Sequence, residues 1–159
     1  LTHAHGSMLV MGPTVNSYKR FWDAGQFAPS KINWGMDNKT CTVRLSANGR
    51  LEYKLPDASV NPYLSHTLLL AAMKHGLDDR IDPGESHSGN SYDDAPGLFA
   101  PLPLTLAEAV TAFSTDKVVR NALPEALGDL LIDLKSDEWA RFCAHVTDWE
   151  RDMYADYIQ

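Results

Sequence analysis

The sequence has 159 residues and a formal net charge of −7, and 44% of its residues are hydrophobic and 9% aromatic. A chain of this size is about one domain long and can bury a core without disulfides. No apolar run approaches the ~20 residues that a membrane-spanning helix needs, and an acidic chain without an extended basic face is a poor partner for nucleic acid. We therefore expect a soluble cytoplasmic protein that binds neither membranes nor nucleic acid.

The chain opens on an apolar stretch, from Leu1 to Met11, whose pattern resembles the end of a helix. Because the first residue is not Met, we expect the chain to be a piece of a longer protein. Gly12-Pro13 ends this helix, and residues 23–29 are predicted to form a turn-rich loop. The two cysteines, Cys41 and Cys143, lie far apart in dissimilar contexts and are predicted to be reduced and mostly buried.

Three strands are predicted at residues 30–34, 40–45 and 50–55, where Val, Ile, Thr, Tyr and Trp alternate with polar side chains. Asn48-Gly49, between the last two strands, is a hairpin signal. Helical patterns follow farther along the chain. The predicted fold class is therefore α+β, with an antiparallel sheet and helices packed against it.

Alternation along the second and third strands places four charged side chains on one face of the sheet: Arg44, Arg50, Glu52 and Lys54. They belong to a basic island, residues 13–56, which has seven Lys and Arg against three acids in a chain that is acidic overall. Such an island favours a small, highly charged ligand such as a nucleotide phosphate. Glu52 has two interpretations, a cross-strand ion pair or a carboxylate ligand for a divalent ion.

A helix is predicted to begin at Asn61-Pro62, with Asn as the N-cap and Pro at the first helical position, and to end at Gly76. It is apolar on nearly all sides, so we expect it to be buried. His66 and His75 have no partners at metal-ligand spacing. We interpret both histidines as packing or capping residues.

Residues 77–103 are rich in Asp, Gly, Ser, Asn and Pro and predict a long surface loop. Further helices are predicted from Thr105 to Phe113, from Pro124 to Leu134 and from Ser136 to Tyr157. Apolar side chains recur every three or four residues in the last helix and predict core or subunit packing. They are Trp139, Phe142, Val146, Trp149, Met153 and Tyr157. We expect residues 1–159 to form a single domain, with the sheet and ligand-binding motifs in 1–64 and mostly helix in 65–159.

The residues by themselves indicate an anion-binding α+β domain that could use a metal. Donors for phosphate or carboxylate groups are Arg20, Lys39, Arg44 and Lys54, and Glu52 is the candidate metal ligand. The sequence has no Walker loop, no G-x-G-x-x-G and no G-x-S-x-G elbow. No nucleophile with an adjacent base is evident.

In order and spacing, several motifs resemble the C-terminal part of the catalytic domain of the glutamine synthetase family. They are Asn16-Ser-Tyr-Lys-Arg20, Asp37-Asn-Lys39 with Arg44, Glu52-Tyr-Lys54-Leu-Pro-Asp57 and Asn61-Pro-Tyr-Leu64. The closing Val146-Thr-Asp-Trp-Glu-Arg151 resembles the last helix of many members. The resemblance covers essentially the whole chain.

This resemblance implies ATP-dependent ligation, in which the γ-carboxylate of glutamate is phosphorylated and ammonia or an amine then displaces the phosphate. Arg20 would be a catalytic residue that binds glutamate and its acyl phosphate, and Lys54 would face the glutamate carboxylate. Lys39 and Arg44 would hold the ATP phosphates, and Glu52 would ligate Mg²⁺ or Mn²⁺. The family also implies a homo-oligomeric ring and a larger catalytic domain, of which this chain alone would be inactive.

The sequence departs from the family pattern in two respects. Lys39 and Lys54 stand where arginine is common, and lysine offers a point charge in place of a bidentate fork. The loop after Arg20 has Asp23 as its one acid, where the family places a glutamate that helps to deprotonate the incoming ammonium. The acceptor is thus open between ammonia and a larger amine. A non-catalytic relative with an oligomeric or ligand-sensing role is the alternative.

Overall fold

The computed structural model describes residues 1–22 and 27–157 and confirms the α+β class. Asp23 and the rest of residues 23–26, in the predicted loop, lie outside the described residues. The helices are α1 (Ala4–Met11), a 3-10 helix (Val15–Phe21), α2 (Pro62–Asp78), α3 (Leu106–Thr115), α4 (Lys117–Asn121), α5 (Glu125–Ala144) and α6 (Asp148–Tyr154). The strands are β1 (Trp34–Met36), β2 (Val43–Leu45) and β3 (Leu51–Tyr53).

The strands form one sheet in the order β1-β2-β3. β2 and β3 pair antiparallel with Arg44 opposite Glu52, which confirms the predicted hairpin. In its turn Gly49 has a φ of 76°, a conformation that glycine adopts without strain. β1 instead runs parallel to β2, with Gly35 opposite Arg44, so the antiparallel prediction is wrong for this strand. Residues 37–42 carry the chain back along the sheet, and β2 therefore starts beside the start of β1.

The long loop between α2 and α3, residues 79–105, packs on the β1 side of the sheet. The backbone N–H of His87 donates to the carbonyl of Trp34 at 2.8 Å, and Asn33 Nδ2 donates to the buried Ser91 Oγ at 2.8 Å. Any side chain at Gly35 would collide with the carbonyl of His87. The predicted surface loop therefore forms a fixed support for the turn that follows β1.

The core lies between α1, α3 and the 3-10 helix. Its largest fully buried side chains include Met8, Leu9, Tyr18, Leu55, Phe113 and Val119. The prediction that α2 is buried is wrong for this chain, because α2 buries only Ser65 and Leu68 while Leu77 is 76% exposed. Its apolar side lines a groove of about 370 Å³ together with residues of α1 and β3.

The C-terminal helices differ in their boundaries from the prediction. α3 starts at the predicted cap, Thr105, whereas α4 was not predicted. α5 continues through the boundary predicted at Ser136, where an ion pair of 2.8 Å between Lys135 and Glu138 supports the helix. α5 ends at Ala144, and Thr147 and Glu150 form the capping box that starts α6.

Side-chain exposure tests the predictions made for the two cysteines and for the apolar side chains of the C-terminal helices. Cys41 is buried and Cys143 is exposed, and both thiols are free, so the burial prediction is wrong for Cys143. Trp139, on α5, packs partly against the core. Trp149, on α6, is 63% exposed, and α6 buries little against the described residues. Within residues 1–22 and 27–157, no helix has the length and apolar character to cross a bilayer.

A histidine network ties the ends of three helices together. His3 Nδ1 lies 2.8 Å from Asp116 Oδ2, and His3 Nε2 lies 2.9 Å from Nδ1 of His75. His75 Nε2 in turn lies 3.0 Å from Asp79. Asp116 also caps α4 by accepting the N–H of Val118 at 3.0 Å. The buried His3 thus joins α1 to the end of α2 and the start of α4, and His75 has the packing role predicted for it.

We expect His3→Ala to lower the free energy of unfolding by about 2 kcal/mol, because it removes two hydrogen bonds from a partly buried network, one of them to the Asp116 carboxylate. Urea denaturation followed by circular dichroism measures this loss. His5→Ala is the matched control, since His5 is exposed on the same helix; we expect it to change stability by less than about 0.5 kcal/mol. Equal losses in the two variants would show that the network contributes nothing.

Candidate functional site

The charged sheet face predicted from the alternation is present on β2 and β3. Arg44 and Glu52 are directly opposite each other in the antiparallel register. The Arg44 Nη1 donates to both carboxylate oxygens of Glu52, at 3.0 and 3.1 Å. Arg50 is a weaker third member, with Nη2 3.4 Å from Glu52 Oε1. Of the two interpretations of Glu52, the cross-strand ion pair is therefore the arrangement that this structure adopts.

Arg44 is held from a second side by Asp37, at the end of β1. Its Nη2 donates to Asp37 Oδ1 at 2.9 Å. Hydrogen bonding to Glu52 is the main cause that raises the pKa of Arg44, and hydrogen bonding to Arg44 is the main cause that lowers the pKa of Glu52. The pair is thus charged at neutral pH. The Nε of Arg44 is buried and has no hydrogen-bond partner among the described residues.

Lys54, just beyond β3, links the sheet to two neighbouring segments. Its Nζ donates to the carbonyl of Phe27 at 2.9 Å and to the carbonyl of Lys39. Partial burial lowers the pKa of Lys54; the charge of Glu52 opposes this shift, and Lys39, Arg44 and Arg20 reinforce it. An ammonium has three donors, and contacts with the described residues account for two of them.

Arg20 lies at the end of the 3-10 helix. Its Nη2 donates to the carbonyl of Leu55, the residue that follows Lys54, and its Cζ lies 4.6 Å from the centre of the Phe21 ring. Burial lowers the pKa of Arg20, and the charge of Asp57 opposes that shift. Like Arg44, Arg20 has a buried Nε with no hydrogen-bond partner within the described part of the chain.

Lys39 is exposed on the turn between β1 and β2. Its neighbour Asn38 fixes that turn, because Asn38 Nδ2 donates to the carbonyls of His87 and Gly89 at 3.1 and 2.8 Å. Asn38 Oδ1 also accepts the N–H of Thr40 at 3.0 Å. The side chain of Lys39 is therefore presented from a fixed backbone.

These contacts bring the five residues predicted from the sequence to one place. Lys54 donates to the carbonyl of Lys39, and Arg20 donates to the carbonyl of Leu55, the residue after Lys54. Arg44 pairs with Glu52, two residues before Lys54. The cations whose charges act on Glu52 are Arg44, Arg50 and Lys54, and among the described residues the Nε atoms of Arg20 and Arg44 have no hydrogen-bond partner. This arrangement suits a ligand with several negative charges, such as a polyphosphate or a dicarboxylate.

A divalent metal fits less well than an anion. Glu52 has the oxygen donors that Mg²⁺ and Mn²⁺ prefer, but both of its oxygens already accept from Arg44. Among residues 1–22 and 27–157, no group of three His, Cys, Asp or Glu side chains is placed to hold a metal ion. The described residues therefore do not form a complete metal site, and Glu52 could supply one ligand of such a site.

Comparison with known sequences identifies the source of this arrangement. The family profile described as the glutamine synthetase catalytic domain matches residues 1–154. The chain belongs to the glutamine synthetase family.

Members of the glutamine synthetase family with different acceptors are similar to this chain. A glutamine synthetase of Rhizobium leguminosarum bv. phaseoli is 35% identical, over 98% of this chain and 38% of the relative. A glutamate–methylamine ligase of Methyloversatilis universalis is 38% identical, over 99% of this chain and 38% of the relative. A gamma-glutamylethanolamide synthetase of Streptomyces coelicolor is 38% identical, over 89% of this chain and 30% of the relative.

Solved structures agree with this assignment to the glutamine synthetase family. A structure described as a GmaS/ADP complex superposes with a TM-score of 0.88 at 36% identity, covering 98% of this chain and 37% of that one. An apo GmaS structure gives a TM-score of 0.84 at 39% identity, covering 98% and 36%. The chain thus spans well under half the length of the glutamine synthetase relatives that it matches.

Two contacts of this site were not predicted from the sequence. The carboxylate of Asp37 binds Arg44, although the sequence offered it only as part of the Asp37-Asn-Lys39 motif. The carbonyl of Phe27 binds Lys54, and no side-chain pattern signals a backbone acceptor. For Asp37 a signal existed, since an Asp directly after a strand and before Asn is typical of a tight turn.

Proposed function

We propose that the chain is part of a larger catalytic domain that joins the γ-carboxylate of glutamate to ammonia or an amine, with ATP consumed and γ-glutamyl phosphate formed on the way. The observation that supports this proposal is the set of contacts that links the five residues: Lys54 to the Lys39 carbonyl, Arg20 to the carbonyl of the residue after Lys54, and Arg44 to Glu52. Phosphorylating a carboxylate brings several negative charges together, and fixed cations are the groups that stabilise them. ATP and Mg²⁺ or Mn²⁺ are the cofactors that this reaction requires.

In this proposal each cation has a separate role. Arg20 binds the glutamate and its acyl phosphate, and Lys54 binds the glutamate carboxylate with the donor that its two carbonyl contacts leave available. Lys39 and Arg44 hold the ATP phosphates, Lys39 from a turn that Asn38 fixes. Glu52 contributes one metal ligand after separating from Arg44, beside ligands supplied by the rest of the catalytic domain.

A coupled assay of ADP release on the intact ligase tests the proposed function. Glutamate would be combined in turn with ammonia, methylamine and ethanolamine, and we expect glutamate-dependent turnover with at least one of them. Binding of ATP without turnover for any amine would instead support a non-catalytic, ligand-sensing relative. That alternative is favoured by the ion pair that occupies both Glu52 oxygens.

We also propose a cytoplasmic homo-oligomer. Its support is the set of exposed apolar side chains on and beside α5 and α6: Phe142, Val146, Trp149, Met153 and Tyr157. Isolated apolar side chains on a surface are ordinary, but this many on one short C-terminal stretch need a covering surface. Analytical ultracentrifugation of the intact protein should find an assembly larger than a monomer.

The lowered pKa of Lys54 gives a prediction for pH dependence. A lysine whose pKa is lowered loses its charge at a lower pH than an ordinary lysine, and only the charged form attracts a carboxylate. We therefore expect the KM for glutamate to increase with pH in the alkaline range, and the increase should begin below 10.5, the ordinary pKa of lysine. In Lys54→Arg this rise should disappear, because arginine stays protonated throughout. An identical alkaline rise in both enzymes would assign it to another group.

A further inference from the structure

Asp37 has a backbone conformation that few residues adopt. Its φ is 47°, in the left-handed region, and glycine, Asn and Asp are the residues that tolerate this region best. Its backbone N–H donates to the carbonyl of Leu45 at 2.9 Å, which closes the β1–β2 pairing. The chain thus turns sharply at Asp37, directly beside the strand that carries Arg44.

The carboxylate of Asp37 is not needed to hold this turn. The side chain of Asn38 already anchors it through the carbonyls of His87 and Gly89. Asp37 Oδ1 instead accepts from Arg44 Nη2 at 2.9 Å, and the Asp37 side chain is 50% exposed while that of Arg44 is 19% exposed. The carboxylate therefore faces the guanidinium and not the backbone of its own turn.

Arg44 is therefore held on two sides by carboxylates from different segments of the chain. Glu52, on β3, binds Nη1 through both oxygens, and Asp37, after β1, binds Nη2. A metal ion or another cation that binds a Glu52 oxygen would remove part of the hydrogen bonding to Nη1 of Arg44. Asp37 would then be the partner that keeps the guanidinium in place.

We propose that Asp37 is a positioning residue, which holds Arg44 in its phosphate-binding orientation independently of Glu52. This inference rests on the proposed function, because it takes Arg44 as a ligand of the ATP phosphates. Glu52 cannot bind a metal ion and hold Arg44 fully at the same time. In this proposal Glu52 exchanges between the metal ion and Arg44, whereas Asp37 remains hydrogen-bonded to Arg44.

The test is Asp37→Asn and Asp37→Gly in the intact ligase. We expect the KM for ATP to rise by roughly fivefold, the upper range for one surface ion pair, with kcat and the KM for glutamate unchanged. Calorimetry with a non-hydrolysable ATP analogue in the presence of Mn²⁺, the cation expected to draw Glu52 away from Arg44, should show a similar loss of affinity. Glu85→Gln, at an exposed loop position, is the control and should leave all of these values unchanged.

Asp37→Gly distinguishes positioning from a mere turn role. Glycine suits a φ of 47° better than aspartate, so the thermal midpoint should not fall. If Asp37 serves only the turn, Asp37→Gly will bind the analogue as tightly as the unaltered ligase, and the inference is overturned. If the unaltered ligase binds no analogue at all, the proposed function fails and this inference fails with it.

Discussion

Arg20→Gln should lower kcat/KM for glutamate by about a hundredfold or more, the usual loss when one donor that stabilises developing negative charge is removed. Arg20 lies at the end of the 3-10 helix and donates to the carbonyl of Leu55, the neighbour of Lys54, which we propose binds the glutamate carboxylate. Its buried Nε has no partner among the described residues, so the contacts of residues 1–22 and 27–157 do not use all of its donors. Steady-state kinetics with glutamate, ATP and the active amine measure the loss.

Two variants make this result specific to Arg20. Lys19→Gln removes the neighbouring positive charge, but Lys19 is exposed, and we expect its kcat/KM to stay within twofold of the unaltered value. Arg20→Lys keeps the charge and loses the planar fork, so its activity should lie between those of the unaltered enzyme and Arg20→Gln. Thermal unfolding checks that the variants fold. If Lys19→Gln and Arg20→Gln lost activity equally, general basicity and not a positioned guanidinium would be responsible.

The sequence predicted the parts of the fold that local chemistry determines. Asn61 accepts the N–H groups of Tyr63 and Leu64, so α2 begins where the Asn-Pro pair placed it. Thr105 caps α3, and the Asn48-Gly49 turn joins β2 to β3. In each case a few adjacent residues satisfy their own backbone groups, and no distant contact is needed to decide the outcome.

Features that depend on distant packing were not predictable in this way. β1 pairs parallel to β2, and the loop around His87, distant in sequence, hydrogen-bonds to Trp34 in β1. α2 is largely exposed in this chain. An apolar pattern predicts that a helix packs against something, but it does not say which surface, or whether that surface lies in the same chain. The unbroken course of α5 past Ser136 reflects the absence of a competing cap there, whereas Thr147 and Glu150 provide one farther along.

For the candidate site, the pattern predicted which side chains share a face but not what they bind. Alternation put Arg44 and Glu52 together, and the register places them opposite each other. It could not choose between an ion pair and a metal ligand, since both use the same residues at the same positions. Nor could it assign Asp37 to Arg44, because that contact arises from the parallel β1–β2 pairing.

Glu52→Gln separates the two roles of this carboxylate. If Glu52 ligates a metal in the intact ligase, the variant should bind Mn²⁺ at least about tenfold more weakly, measured by calorimetry without substrates. Glutamine keeps the size and one oxygen of glutamate but lacks the negative charge that strengthens binding of a divalent ion. Glu85→Gln, at an exposed loop position, is the control and should leave Mn²⁺ binding unchanged.

The ion pair with Arg44 predicts a second effect, on acid stability. Because Arg44 lowers the pKa of Glu52, the pair stabilises the folded protein above about pH 4.5 and loses this contribution as the pH falls through the lowered pKa. Glu52→Gln should therefore flatten the stability profile below about pH 4.5. A flattened profile with unchanged Mn²⁺ affinity would leave Glu52 as a structural partner of Arg44 alone. A loss of Mn²⁺ affinity together with the flattened profile would show one carboxylate exchanging between a guanidinium and a metal.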